Sequence, residues 1–272
     1  METIFMGASP NPKSYLANRI VDEAQIQTWV EKFHQQGFLF LENVLPPAWC
    51  DELRHDLDRR LGDKRTNPEN RNLATCMFES SPANLRLFDV EPIVSFAEAL
   101  VAPNCHVIHN NSFYTPPGGG ITNWHQDDPP HFLVTHGAPP TNIRLPVLVF
   151  TANYYLTDVT EKENGGTETI PGSHLFGAPP PEKLEESPWK DQIHYNLGQA
   201  GSVVMFNNQV WHRGGPNQSD RTRYITQITY GRRLIGHKYF PFMNYTMPQH
   251  VYENAAPRLR RLLGFLERGA YT

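Results

Sequence analysis

The chain has 272 residues, of which 39% are hydrophobic and 11% aromatic, with a formal net charge of −4. That is enough apolar material for a sizeable core, and the slight acidity offers no basic field for nucleic acid or an anionic membrane surface. No apolar run approaches the length of a bilayer, and the first residues, METIFMGASPNPKSY, lack the basic and apolar regions of a secretory signal, so a cytoplasmic protein is expected. Cys50, Cys76 and Cys105 form no CxxC pair and read as reduced, buried thiols without a chemical role.

The 24 prolines and 19 glycines point to many turns and a β-rich architecture. The first element is nevertheless a helix. Residues 22–37, DEAQIQTWVEKFHQQG, place Ile26, Trp29, Val30 and Phe33 at helical spacing and close on a glycine. FLFLENVL follows as a short strand. PPAWCDELRHDLDRRLG then opens on proline and repeats Leu53, Leu57 and Leu61 four residues apart, which predicts a second helix. Residues 63–81 are polar and aperiodic and read as a long loop; EPIVSFAEALV, at 91–101, predicts a third helix.

From His106 the texture changes to short β-branched and aromatic runs: HVIHNNSFYT, LPVLVFTANYYLT, TETIP, QIHYNL, SVVMFN and RYITQITYG. Turn residues separate them, which suggests an antiparallel sandwich or barrel. No composition break divides this region from the helical third, so residues 1–272 read as a single domain.

The chemistry begins at TNWHQDDPP, residues 122–130. In an extended segment His125 and Asp127 face one way, while Gln126 and Asp128 face the other. An HxD pair is weak by itself, because a solvated turn accounts for most such tripeptides. His212 is the best third member: it follows the apolar run SVVMFNNQVW and precedes the turn RGGPN. Two histidines and a carboxylate make the facial triad of non-haem Fe(II) oxygenases, which leaves coordination positions open. Eleven residues on, Arg223 heads RYITQITYG and shares a face with Ile225, Gln227 and Thr229. Turned inward, it would be a costly cation unless a carboxylate met it; the alternative is a surface strand with Arg223 exposed, and Arg221, two residues earlier, could serve instead.

The order WHQDD, ENGGTETIPGSH, WHRGGPNQSDRTRYITQITYG resembles the phytanoyl-CoA dioxygenase family of Fe(II)/2-oxoglutarate oxygenases, to which ectoine hydroxylase belongs. FHQQGFLFLENVLPPAWCDELR and PRLRRLLGFLERGAY extend the resemblance over nearly the whole chain. It implies a mainly β fold with flanking helices, a double-stranded β-helix (a cupin-like jelly roll), with His125, Asp127 and His212 as catalytic iron ligands. It also implies Fe(II), 2-oxoglutarate and O2 as cofactor and cosubstrates. Arg223 would hold the far 2-oxoglutarate carboxylate, and Thr167 and Asn123 would assist. The retained Asp127 implies hydroxylation of a C–H bond, with release of succinate and CO2, where related halogenases carry a small residue. Ser173 and His174 in PGSH read as a turn.

Of the remaining histidines, His109 sits on a strand placed to line a pocket. Residues 63–81, TPPGGG, DDPPHFLVTHGAPP and HKYFPFMNYTMP are the expected pocket walls. Their aromatic content suits a partly apolar metabolite, and no Lys/Arg cluster argues for a coenzyme A tail. The rival readings are a cupin-type metalloenzyme that does not use 2-oxoglutarate, for which Arg223 has no purpose, a non-catalytic binding protein of the same fold, and a sandwich in which HQDD is a surface turn.

Overall fold

In a computed structural model, which describes residues 15–62, 72–139 and 142–265, the first apolar stripe forms helix α1 (Glu23–Gln36). The Asp22 side chain caps it by accepting from the Gln25 amide at 2.7 Å. Gly37 ends it in the left-handed region, at φ 82°, where glycine carries no steric penalty. Ile26, Val30 and Phe33 are buried. β1 (Phe38–Leu41) is shorter than the predicted run, and α2 (Pro47–Leu61) buries Leu53, Leu57 and Leu61.

Residues 63–71 of the predicted loop lie outside the described residues. The rest is not loop: β2 (Asn72–Thr75) pairs with the next strand, and α3 (Pro82–Arg86) follows, capped by Ser81. The strand escaped notice because its pattern is inverted. Asn72 and Ala74 are buried while Leu73 is exposed, so hydrophobicity carries no period-2 signal. α4 (Ile93–Leu100) forms close to its predicted place.

The β-rich part contains β3 (His106–Thr115), β4 (Val149–Tyr155), β5 (Thr167–Thr169), β6 (His194–Tyr195), β7 (Val203–Asn207), β8 (His212–Gly214) and β9 (Arg223–Gly231). The larger sheet runs β1-β7-β4-β9-β3-β2 and the smaller β6-β5-β8, with antiparallel pairing throughout. These two sheets with their flanking helices are the double-stranded β-helix that the resemblance implied.

Alternation along β9 divides the larger sheet into two faces. Ile228 and Tyr230 join the helices in one hydrophobic core. In it Phe33 of α1, Phe96 of α4 and Phe150 of β4 meet edge to face, with centroids 5.7–6.0 Å apart, and Phe150 stacks on Tyr230 at 5.1 Å. α5 (Gln249–Tyr252) and α6 (Pro257–Leu262) place Val251 and Leu262 in the same core. The described part of PRLRRLLGFLERGAY therefore packs on the protein's own barrel; residues 266–271 of that segment lie outside the described residues. The opposite face, with Arg223, Ile225, Gln227 and Thr229, turns to a cavity. Helix packing thus fixes which side of the sheet is left for chemistry.

Cys50 and Cys105 are buried and none of the three cysteines is in a disulfide; burial pushes the Cys50 thiol up to about 12, which keeps it protonated and unreactive. No helix among the described residues is long and apolar enough to cross a membrane.

The PGSH segment is a turn, as read. Ser173 Oγ donates to the Ile170 carbonyl at 2.7 Å and accepts from the Trp211 amide at 2.7 Å. His174 Nε2 donates to the His34 carbonyl at 3.0 Å, tying the turn to α1. Burial pushes the His174 imidazole down from 6.5 to about 4. The unfolded chain therefore binds the proton first, and stability present above pH 6.5 is lost as pH falls towards 4. Between pH 7 and pH 5 the wild type should lose about 2 kcal/mol more than His174→Gln; urea denaturation of both proteins at the two pH values measures the difference.

Candidate active site

The site is assembled by main-chain pairing at the open edge of the smaller sheet. β5 holds β8 through the Thr169–His212 register. Residues 121–127 then run along the other side of β8. His125 and His212 exchange two N–H···O bonds of 3.0 Å each, and the Gly214 amide donates to the Ile121 carbonyl at 3.0 Å. Beyond the bridge, the Asp127 amide donates to the Asn208 carbonyl at 3.0 Å. The predicted extended segment is thus a single bridge rather than a strand, yet its alternation holds. Gln126 turns away and donates to the Gln209 carbonyl at 2.8 Å, while Asp128 stays outside with Asn208 and the turn that Gln209 secures.

His125, Asp127 and His212 come together, with one potential ligand atom from each lying within 4.8 Å of the others. His212 Nε2 is 3.6 Å from Asp127 Oδ1. The Nδ1 atoms of the two rings contact main-chain carbonyls, His125 that of Asn123 at 2.8 Å and His212 that of Val210 at 2.9 Å. A carbonyl can only accept, so each Nδ1 carries the hydrogen and each Nε2 presents a lone pair. Ring orientation and tautomer are thereby fixed before any ligand arrives. At Asp127 burial acts to raise the carboxyl, but His212, His125 and Lys238 outweigh it and hold the group below its ordinary value.

Arg223 lies on the wall of the same cavity, whose volume is about 250 Å³. It is 6% exposed. Its Nη1 donates to the Gly215 carbonyl at 3.0 Å and its Nη2 to Thr115 Oγ1 at 3.3 Å, while Nε has no partner. It forms no ion pair among the described residues: the nearby Glu168 carboxylate is held by Arg213 at 2.7 Å. Burial pulls the guanidinium down to about 10, with Tyr155 and Glu168 acting against it. Arg221 is exposed and takes no part.

Thr167 is buried on the cavity wall, with Oγ1 accepting from Asn153 Nδ2 at 3.3 Å. Asn123 departs from its expected place: it is exposed and does not line the cavity, and what it supplies is the carbonyl that orients His125. The reason is geometric. Ile121 and His125 on either side of it pair with β8 and line the cavity, while Asn123 between them is exposed. His109 lines the cavity, as its strand position suggested, and burial pushes its imidazole down to about 4, helped by Lys238.

Sequence reasoning missed Arg213 and Lys238. Arg213 binds Glu168 and Glu185, each at 2.7 Å, and its guanidinium lies 4.8 Å from the Trp124 ring centroid. It fastens the arm before His125 to β8, which gives Trp124 its role in the motif. Alternation from His212 would have turned Arg213 outward, and only the pairing of Glu168 opposite it could have signalled the clamp. Lys238 lies in HKYFPFMNYTMP, an expected pocket wall, but nothing in that aperiodic stretch singled out the lysine.

Residues 33–225 match the family Phytanoyl-CoA dioxygenase (PhyH). This chain belongs to that family. Over 251 residues it is 24% identical to dioxygenase trt7 of Aspergillus terreus, covering 86% of this chain and 82% of that protein. It is 25% identical over 261 residues to the ectoine dioxygenase of Halomonas elongata, covering 82% and 74%. Among solved structures, HygX from Streptomyces hygroscopicus with nickel and 2-oxoglutarate bound superposes with a TM-score of 0.62 at 15% identity, covering 81% of this chain and 90% of that one. The non-heme alpha ketoglutarate dependent epimerase SnoN from nogalamycin biosynthesis superposes at 0.57 and 20% identity, covering 77% and 84%. The structural likenesses show the fold; family membership makes the chain a dioxygenase.

Gly165 is the close approach on which the Arg223 pocket depends. Its φ is +74°, and a Cβ there would stand 2.7 Å from Arg223 Nη1 and 2.6 Å from the Gly215 carbonyl oxygen. Gly165→Ala should cost about 1–3 kcal/mol of stability, measured by chemical denaturation against the wild type.

Proposed function

We propose that the protein is an Fe(II)- and 2-oxoglutarate-dependent oxygenase that hydroxylates an unactivated C–H bond of a small metabolite, releasing succinate and CO2. His125, Asp127 and His212 are the metal ligands in this reading, and Arg223 holds the far carboxylate of 2-oxoglutarate. The observation that carries it is the pairing, within one cavity, of two imidazoles held through Nδ1 beside a carboxylate and a buried guanidinium that forms no ion pair among the described residues. A cupin-type metalloenzyme without 2-oxoglutarate would bear the cost of burying Arg223 for nothing.

The donor set fits the metal. Two nitrogen donors and one carboxylate suit Fe(II) and leave the remaining positions for exchangeable ligands. Iron, when bound, supplies O2 activation coupled to decarboxylation of 2-oxoglutarate. The chain's own residues do the rest. Asp127 brings a negative charge to the cation, and the carbonyls of Asn123 and Val210 keep both imidazoles aimed. Arg223 offers a planar fork to a carboxylate, with its unpaired Nε as a further donor. Thr167 stands on the same wall as a hydroxyl for the cosubstrate, while Phe113, Phe206 and Ile225 give the cavity apolar sides that exclude water. Asp127 keeps a carboxylate at the position whose loss frees a site for halide, which is why hydroxylation is the outcome proposed.

Anaerobic titration of the Fe(II)-loaded protein with 2-oxoglutarate should give the visible metal-to-ligand charge-transfer band. Arg223→Gln should raise the half-saturating 2-oxoglutarate concentration about ten- to a hundredfold, the value of a charge-assisted hydrogen bond. Asp127→Ala should lose both the band and substrate-dependent succinate. A band of normal intensity in Asp127→Ala would remove that residue from the ligand set.

A further inference from the structure

After β9 the chain returns over the cavity mouth in a fixed path. The Lys238 amide donates to the Ile108 carbonyl at 2.7 Å, and the buried Tyr239 donates its hydroxyl to the Val107 carbonyl at 3.1 Å while packing against Phe78 and Tyr245. Lys238 is thereby anchored beside His109, and its side chain lines the cavity from the rim. It makes no ion pair among the described residues. It shares that lining with His109, Asn111 and Gln227.

Lys238 is not a second handle for the cosubstrate. In the β3–β9 register Thr115 faces Arg223 and His109 faces Thr229, so the two cations sit at opposite ends of a strand segment about 20 Å long. Between them the wall is polar. Asn111, which is 5% exposed, leaves Oδ1 without a partner, and its Nδ2 is only loosely held, 3.4 Å from His109 Nδ1 and 3.5 Å from Gln227 Oε1. On the cavity wall this leaves Asn111 open to a polar group inside the cavity. The partly apolar substrate suggested by the flanking aromatics therefore needs a polar end.

We infer that Lys238 is a substrate-binding residue and that the primary substrate is a small carboxylic acid, whose carboxylate pairs with the Lys238 amine at the cavity mouth. This deepens the oxygenase reading and rests on it. At its end of the cavity Lys238 is an ammonium beside the polar His109 and Asn111, which suits a monoanion. Arg223 is thereby left to the cosubstrate, and the two acids are sorted by the end of the cavity each can reach.

The test uses the full chain loaded anaerobically with Fe(II) and 2-oxoglutarate. It is titrated with straight-chain monocarboxylates from acetate to octanoate and with their primary amides, following the shift of the charge-transfer band as a binding signal. In the wild type and in Lys238→Arg at least one acid should act at a concentration about tenfold or more below that of its amide. In Lys238→Met the 2-oxoglutarate band should still form, and the preference for acid should vanish. Equal response to acids and amides in the wild type, or an undiminished preference in Lys238→Met, overturns the inference. A wild type that gives no band at all instead overturns the oxygenase reading beneath it.

Discussion

The amide of His125 donates to the carbonyl of His212, and the amide of His212 donates back, each over 3.0 Å. This one bridge joins a loop to a three-residue strand that are far apart in the sequence. It brings the rings of the two residues to 4.3 Å between centroids and sets Asp127 on the same side. The rest of the site hangs on it. β5 supports β8 from behind, Asn208 continues the pairing beyond the bridge, and Arg213 clamps the arm before it against Glu168. Main-chain geometry, rather than any long helix or strand, gives the three side chains a common focus.

The charges around that focus are arranged in opposition. Three groups converge at one point and are short of a cation, while Arg223 lies buried and is short of an anion. The arrangement at Arg223 costs free energy, because a buried charge without a counter-charge loses its hydration. The neighbouring Arg213–Glu168 pair shows the contrast, since its two charges satisfy each other and leave nothing to bind. A cation at one place and a dicarboxylate reaching from it to the other would relieve both deficits at once. The site is in this sense preorganised, with its strain held by the scaffold.

Much of this was legible in the sequence. β3 and β9 occupy the predicted runs HVIHNNSFYT and RYITQITYG, long β-branched and aromatic stretches set off by turn residues. Alternation along the second put Arg223, Ile225, Gln227 and Thr229 on one face, and the fold turns that face to the cavity. The losses were local. β2 and β8 are four and three residues long and carry no usable period. Asn123 was placed by its nearness to His125, whereas the structure uses only its carbonyl, and backbone groups leave no trace in residue identity. Lys238 was hidden because its position depends on the return of an irregular segment across β3, a tertiary event with no local signature.

The central claim is that one metal and one cosubstrate sit where these opposed charges converge. The direct test is an anaerobic crystal structure with Fe(II) and 2-oxoglutarate, with the metal located by anomalous scattering at the iron edge. The account predicts one iron per chain, bound by the Nε2 atoms of His125 and His212 and an oxygen of Asp127, with the far carboxylate of 2-oxoglutarate on Arg223. Iron bound elsewhere, or 2-oxoglutarate lying away from Arg223, would contradict it.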